Sequence, residues 1–155
     1  MSFVITGIDP APFRRLYGLS DAELADAGAV RMIADAKPGF PCRVTLEDAA
    51  PGTAVLLVNH EHLPVDTPYR SRHAIFVAEG AERAARHADS IPEQLRMRLL
   101  SVRAFDAEDM MIDAEVLEGT DLDAEIARMF ADPRAAYLHV HNARRGCFAA
   151  RVDRG

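Results

Sequence analysis

The stretch Tyr137-Leu138-His139-Val140-His141-Asn142 alternates residue by residue between apolar and polar side chains. Successive side chains of a strand project to opposite faces, so His139 and His141 share one face while Leu138 and Val140 enter a core on the other. After Gly146 the run Cys147-Phe148-Ala149-Ala150-Arg151-Val152 alternates again. Together the two runs predict an antiparallel hairpin whose polar face carries His139, His141, Cys147 and Arg151. Its apolar face has to be covered by another layer.

The covering layer is suggested just upstream. Leu122, Ile126, Met129 and Phe130 fall at i, i+4, i+7 and i+8, one apolar helical stripe. Thr120 is placed to cap that helix, and Asp132-Pro133 ends it, because the residue before proline avoids the helical region. Two Ser-x-x-Glu capping boxes, Ser20 to Glu23 and Ser90 to Glu93, predict shorter helices running to about Gly28 and Leu99. Residues 79–89, rich in alanine and charge, suggest another short exposed helix. Extended runs are expected at 2–8, 29–34, 42–46, 54–59, 73–77, 100–105 and 110–116, with a polar loop over 64–72. Short turns join most of these runs, so the expected fold is α+β, about eight strands in a largely antiparallel sheet, with three or four short helices packed mainly on one face.

A length of 155 residues is expected to form a single domain, 1–155. Such a chain can hide roughly 70% of its unfolded surface and needs no disulfide or metal to fold. The net charge of −6, with no long block of Lys and Arg, argues against a nucleic-acid partner. The longest aliphatic run, Ala54-Val55-Leu56-Leu57-Val58, is far too short to span a bilayer, so no membrane partner is expected. The first residues lack the basic start and apolar stretch of a signal peptide, and a cytoplasmic location is expected. Cys42 and Cys147 do not amount to a disulfide framework, and their spacing does not say whether they meet.

Three kinds of site are compatible with the polar residues. Arg43, His62, Tyr69, Arg70, His139, His141, Asn142 and Arg151 lie on strand faces or near strand ends, where they could line a pocket for a small anion or carboxylate. A guanidinium holds such a group through two parallel hydrogen bonds. Cys42, Cys147, His139 and His141 are candidates for catalysis in that pocket, since a nucleophilic cysteine needs a base and a nearby positive charge. Alternatively, the pairs His60/His62 and His139/His141 could fill a tetrahedral metal shell with four nitrogens. The third possibility is a non-catalytic interaction module. No cofactor is favoured, and the oligomeric state is open. Arg103, inside an extended apolar run, is expected to pair with Asp113 on the adjoining strand, since a buried unpaired charge is costly.

Pro41-Cys42-Arg43, Asn59-His60-Glu61-His62, Pro68-Tyr69-Arg70, Ile75-Phe76-Val77, and His139-Val140-His141-Asn142-Ala143-Arg144 followed by Gly146-Cys147 resemble a bacterial family known only as a domain of unknown function, number 1203 in that series. The resemblance implies a stand-alone domain of this size. It implies no activity, cofactor or catalytic residue.

Overall fold

Strand pairing divides the chain into two antiparallel sheets in the computed structural model, which describes residues 2–155. The strands are β1 (Phe3–Thr6), β2 (Val30–Ile33), β3 (Ala54–Leu63), β4 (Ser71–Ala78), β5 (Arg86–Ala88), β6 (Leu99–Phe105), β7 (Met111–Glu118), β8 (Tyr137–Asn142) and β9 (Phe148–Arg154). The larger sheet has the order β5-β1-β9-β8-β6-β7 and the smaller the order β2-β3-β4. Helices α1 (Asp21–Asp26), α2 (Glu93–Arg96) and α3 (Leu122–Phe130), with 3₁₀ turns at Ala11–Leu16 and Gly119–Asp121, complete an α+β fold. No helix among the described residues is long and apolar enough to cross a membrane.

The hairpin expected from residues 137–152 lies at the centre of the larger sheet. Leu138, Val140, Ala150 and Val152 on its apolar face pack with Leu100 and Val102 of β6 against Leu122, Ile126, Met129 and Phe130 of α3. Each of the larger of these side chains, fully buried, contributes about 1.5–3 kcal/mol relative to an exposed one. The smaller sheet has a separate core, in which Leu56, Val58, Ile75 and Val77 meet Phe13, Leu16 and Leu24. Helices α2 and α3 thus cover one face of the larger sheet, while α1 and the first 3₁₀ turn cover the smaller one.

Between the two cores runs the segment 40–49. Arg43 donates its amide to the Phe76 carbonyl, and its own carbonyl accepts from the Ile8 amide. Gly7 permits this approach, because a Cβ there would lie 2.0 Å from the Val44 carbonyl oxygen.

Several local expectations change. The Ser20–Glu23 capping box forms with both of its hydrogen bonds. The Ser90 box does not, because the helix starts at Glu93 behind Pro92 without a side-chain cap. Likewise Thr120 lies inside a 3₁₀ turn, and Asp121 precedes α3 without a side-chain cap hydrogen bond. Residues 79–89 form turns and the short strand β5, not a helix, because His87 pairs with Ile5. Only isolated bridges, at Pro41 and Cys42, form in the 42–46 region, which otherwise turns. Strand β3 also continues past Asn59 to Leu63, so His62 lies within the sheet beside a bulge between Glu61 and Leu63.

Candidate metal centre

The polar face of the β8–β9 hairpin meets the end of β3 where the two sheets adjoin. Strand register aligns Arg103 with His139 and Ser101 with His141 across β6 and β8. On the other side, Arg151 aligns with His139, and a bulge places Phe148 opposite His141. This bulge breaks the expected alternation, so Phe148 and not Cys147 faces the histidines.

Phe148 seats the third histidine. The His62 ring stacks on it, with centroids 4.8 Å apart and planes 4° from parallel. His62 then lies 5.6 Å from His139 and 5.1 Å from His141, ring centre to ring centre. One nitrogen from each of His62, His139 and His141 lies within 4.8 Å of the others. Tetrahedral zinc, at 2.0–2.1 Å from each nitrogen, needs donors about 3.3 Å apart, so binding requires the rings to draw together by up to about 1.5 Å.

The second nitrogen of each ring has a defined setting. Nδ1 of His141 lies 2.9 Å from the Gly146 carbonyl oxygen. A carbonyl only accepts, so Nδ1 carries the proton and Nε2 keeps its lone pair. A backbone carbonyl fixing the tautomer in this way is typical of metal-bound histidine. Nε2 of His62 is 2.9 Å from Nδ1 of His73, leaving Nδ1 of His62 buried without a partner. Nδ1 of His139 is buried and unpartnered as well.

Burial also sets the charge. Desolvation, reinforced by the neighbouring histidines, pulls His139 down to about 2 and His62 to about 3. His141 falls to about 4, again mainly through burial, with its Gly146 hydrogen bond opposing and Arg103 assisting. Near neutrality all three are uncharged, the form that binds a metal. A charged cluster so close together would be strongly repulsive.

The expected four-histidine shell therefore becomes a group of three. His60 packs edge-on against Phe13 with centroids 5.7 Å apart and is not among the converging donors. His73, not singled out in the sequence, stacks on His62 at 4.8 Å instead. No local pattern marks it, because its position follows from the pairing of β4 with β3.

The arginines divide sharply. Arg43 is 1% exposed, and its guanidinium donates to the carbonyls of Phe148 at 2.7 Å and Pro41 at 2.6 Å. Its remaining nitrogen meets the Cys147 sulfur at 2.9 Å. Burial lowers the Arg43 pKa from arginine's ordinary value, and the Cys147 sulfur opposes the change. Arg70 is exposed and paired with Glu61 at 3.2 Å. Arg151 pairs with Asp153 at 2.8 Å while its guanidinium lies 4.1 Å from the centre of the Tyr137 ring.

Arg103 does not pair with Asp113, which Arg128 takes at 3.0 Å. Its contacts are longer, 3.4 Å to the Ser101 hydroxyl and 3.5 Å to Nε2 of His141. The reason is geometric. Asp113 aligns with Ala104 across β6 and β7, so it projects from the face opposite Arg103.

Of the remaining candidates, Tyr69 sits at the margin, edge-on to Phe105 at 6.0 Å, and Phe105 in turn touches His139 at 5.5 Å. Asn142 reaches the Cys147 sulfur at 3.8 Å, while its side-chain oxygen is buried without a partner. Cys42 is buried, its sulfur accepting from the Ala78 amide at 3.2 Å. Both cysteines are free. Two surface depressions, one at Phe3, Asp89 and Ile91 and one at Phe13, His60 and Arg72, do not include the three converging histidines.

No curated protein and no solved structure matches the chain at a significant level. The family model described as "Protein of unknown function (DUF1203)" matches residues 39–154, a span that includes His62, His73, Arg103, His139 and His141, and the chain belongs to that family.

Proposed function

We propose that the protein binds one divalent transition-metal ion, of the zinc class, through His62, His139 and His141. The observation that carries this is the convergence of three uncharged imidazoles from two different sheets to within 4.8 Å, two of them with a buried, unpartnered Nδ1. Imidazole nitrogen suits zinc, copper, iron and nickel, and no carboxylate in the group favours magnesium or calcium. Three protein ligands leave a fourth tetrahedral position for water or a ligand, the arrangement of catalytic and not of structural zinc. An anion pocket centred on Arg43 and Arg70 is supported less. The first spends its donors on two carbonyls and a sulfur, and the second on Glu61.

The test is metal stoichiometry in protein purified without a histidine tag. One equivalent of zinc or cobalt should bind, with cobalt giving the visible absorption of a four-coordinate ion, and His62→Ala and His141→Ala should each abolish it. Folded wild-type protein that takes up neither ion would overturn the proposal and favour a non-catalytic interaction module.

A further inference from the structure

We infer that the open coordination position takes a small oxygen anion, a carboxylate or an inorganic oxyanion, held at once by the metal and by Arg103. This rests on the three-histidine metal site. Strand register places Arg103 beside His139, and its nearest guanidinium nitrogen is 3.5 Å from Nε2 of His141. That contact is Arg103 donating to the lone pair a metal would take, so a metal on Nε2 has to displace the guanidinium, whose donors are then free for a group in the fourth position.

The charge balance selects the ligand. Among the described residues no carboxylate lies within ion-pair distance of Arg103, although it is part-buried. The acids closest in the sheet are engaged or turned away: Asp109 accepts from the Tyr137 hydroxyl at 2.7 Å, Asp153 holds Arg151, and Asp113 projects from the opposite face to hold Arg128. Three neutral imidazoles do not offset the charge of a divalent ion, so metal and guanidinium together leave the site strongly positive. An anion bridging the two satisfies both, because a guanidinium can donate in parallel to one carboxylate or oxyanion.

Geometry limits its size. His139 and His141 are 2% and 1% exposed, and Phe148, Phe105 and Tyr137 wall the cluster. The half-buried side chains at its margin are His62, His73 and Arg103. So enclosed a cluster points to a ligand of formate, acetate, bicarbonate or sulfate size.

The experiment is titration of the cobalt-loaded, full-length protein with acetate, bicarbonate and sulfate at constant ionic strength, following the cobalt absorption. Reading the metal's own spectrum separates binding from the general stabilisation of folded proteins by excluded salts. At least one anion should give a saturable spectral change. Arg103→Gln should keep one equivalent of cobalt and weaken that anion by about tenfold to a hundredfold, the range for a charge-assisted hydrogen bond. Arg103→Lys should recover part of the loss. Cobalt bound without any anion response, or a response equally strong in Arg103→Gln, overturns this inference and leaves the metal site standing. Failure of the wild type to bind cobalt overturns both.

Discussion

Strand β8 presents two opposite faces of about equal burial and contrary character. Leu138 and Val140 are both 0% exposed beneath α3, in a core that is wholly aliphatic and aromatic. One residue along in each case, His139 and His141 are 2% and 1% exposed, yet they meet His62, Phe148 and Arg103. Equal burial therefore serves different ends. On the α3 side it stabilises the fold. On the other it keeps imidazoles neutral at the cost of an unpartnered nitrogen on His139, which a purely structural core would avoid. Residues retained against stability in this way are characteristic of functional sites.

The largest expected effect lies on the aliphatic face. Leu138→Ala removes a fully buried side chain and should lower unfolding free energy by about 2–5 kcal/mol, as measured by denaturant titration. Metal affinity, compared at a temperature where the variant remains folded, should be unchanged. A loss of stoichiometric metal binding in that folded variant would show that the two faces are not independent.

Acid should act through the other face. His139, His62 and His141 fall to about 2, 3 and 4, against about 6.5 for histidine in an unfolded chain. Below pH 6.5 the unfolded state thus binds more protons, so metal-free stability should fall as pH drops from there toward the folded values, and level off above. The three rings titrate as one coupled group, and solvent screening at the half-buried His62 reduces its share of the fall. Denaturation midpoints of the metal-free protein between pH 5 and 8 check this, and a midpoint that stays flat or rises on acidification would mean that the cluster protonates readily while folded.

The smallest change in free energy is expected from His139→Leu. It replaces an unsatisfied imidazole with an apolar side chain of similar bulk, so metal-free stability at neutral pH should hold or rise by about 1 kcal/mol. The acid slope should lose one proton and metal binding should disappear. Marked destabilisation with metal affinity intact would make His139 an ordinary core residue.

How far the sequence discloses this arrangement depends on the range of the interactions. Alternation in 137–142, the stripe of α3 and the Ser20 cap are local signals, and each matches the structure. The division into two sheets is not local, nor is the extension of β3 through His62, since both depend on pairing with β4. His73 and Arg103 reach the site through register with distant strands, which no spacing in the sequence encodes. The β8–β9 bulge shows the same limit at short range. One extra residue exchanges Cys147 for Phe148 on the histidine face, and an alternating run gives no sign of it. The second capping box fails for a related reason: Ser90 and Glu93 have the right spacing, but the chain enters the helix only after Pro92.

The most direct measurement of the central claim is a crystal structure of the untagged protein soaked in zinc, with anomalous data collected on either side of the zinc absorption edge. A three-histidine metal site requires one strong zinc peak at about 2.0–2.1 Å from a nitrogen of each of His62, His139 and His141, the bond length of zinc–imidazole ligation. Crystals that hold zinc only at surface sites, with the three imidazoles unchanged in their present contacts, would contradict it.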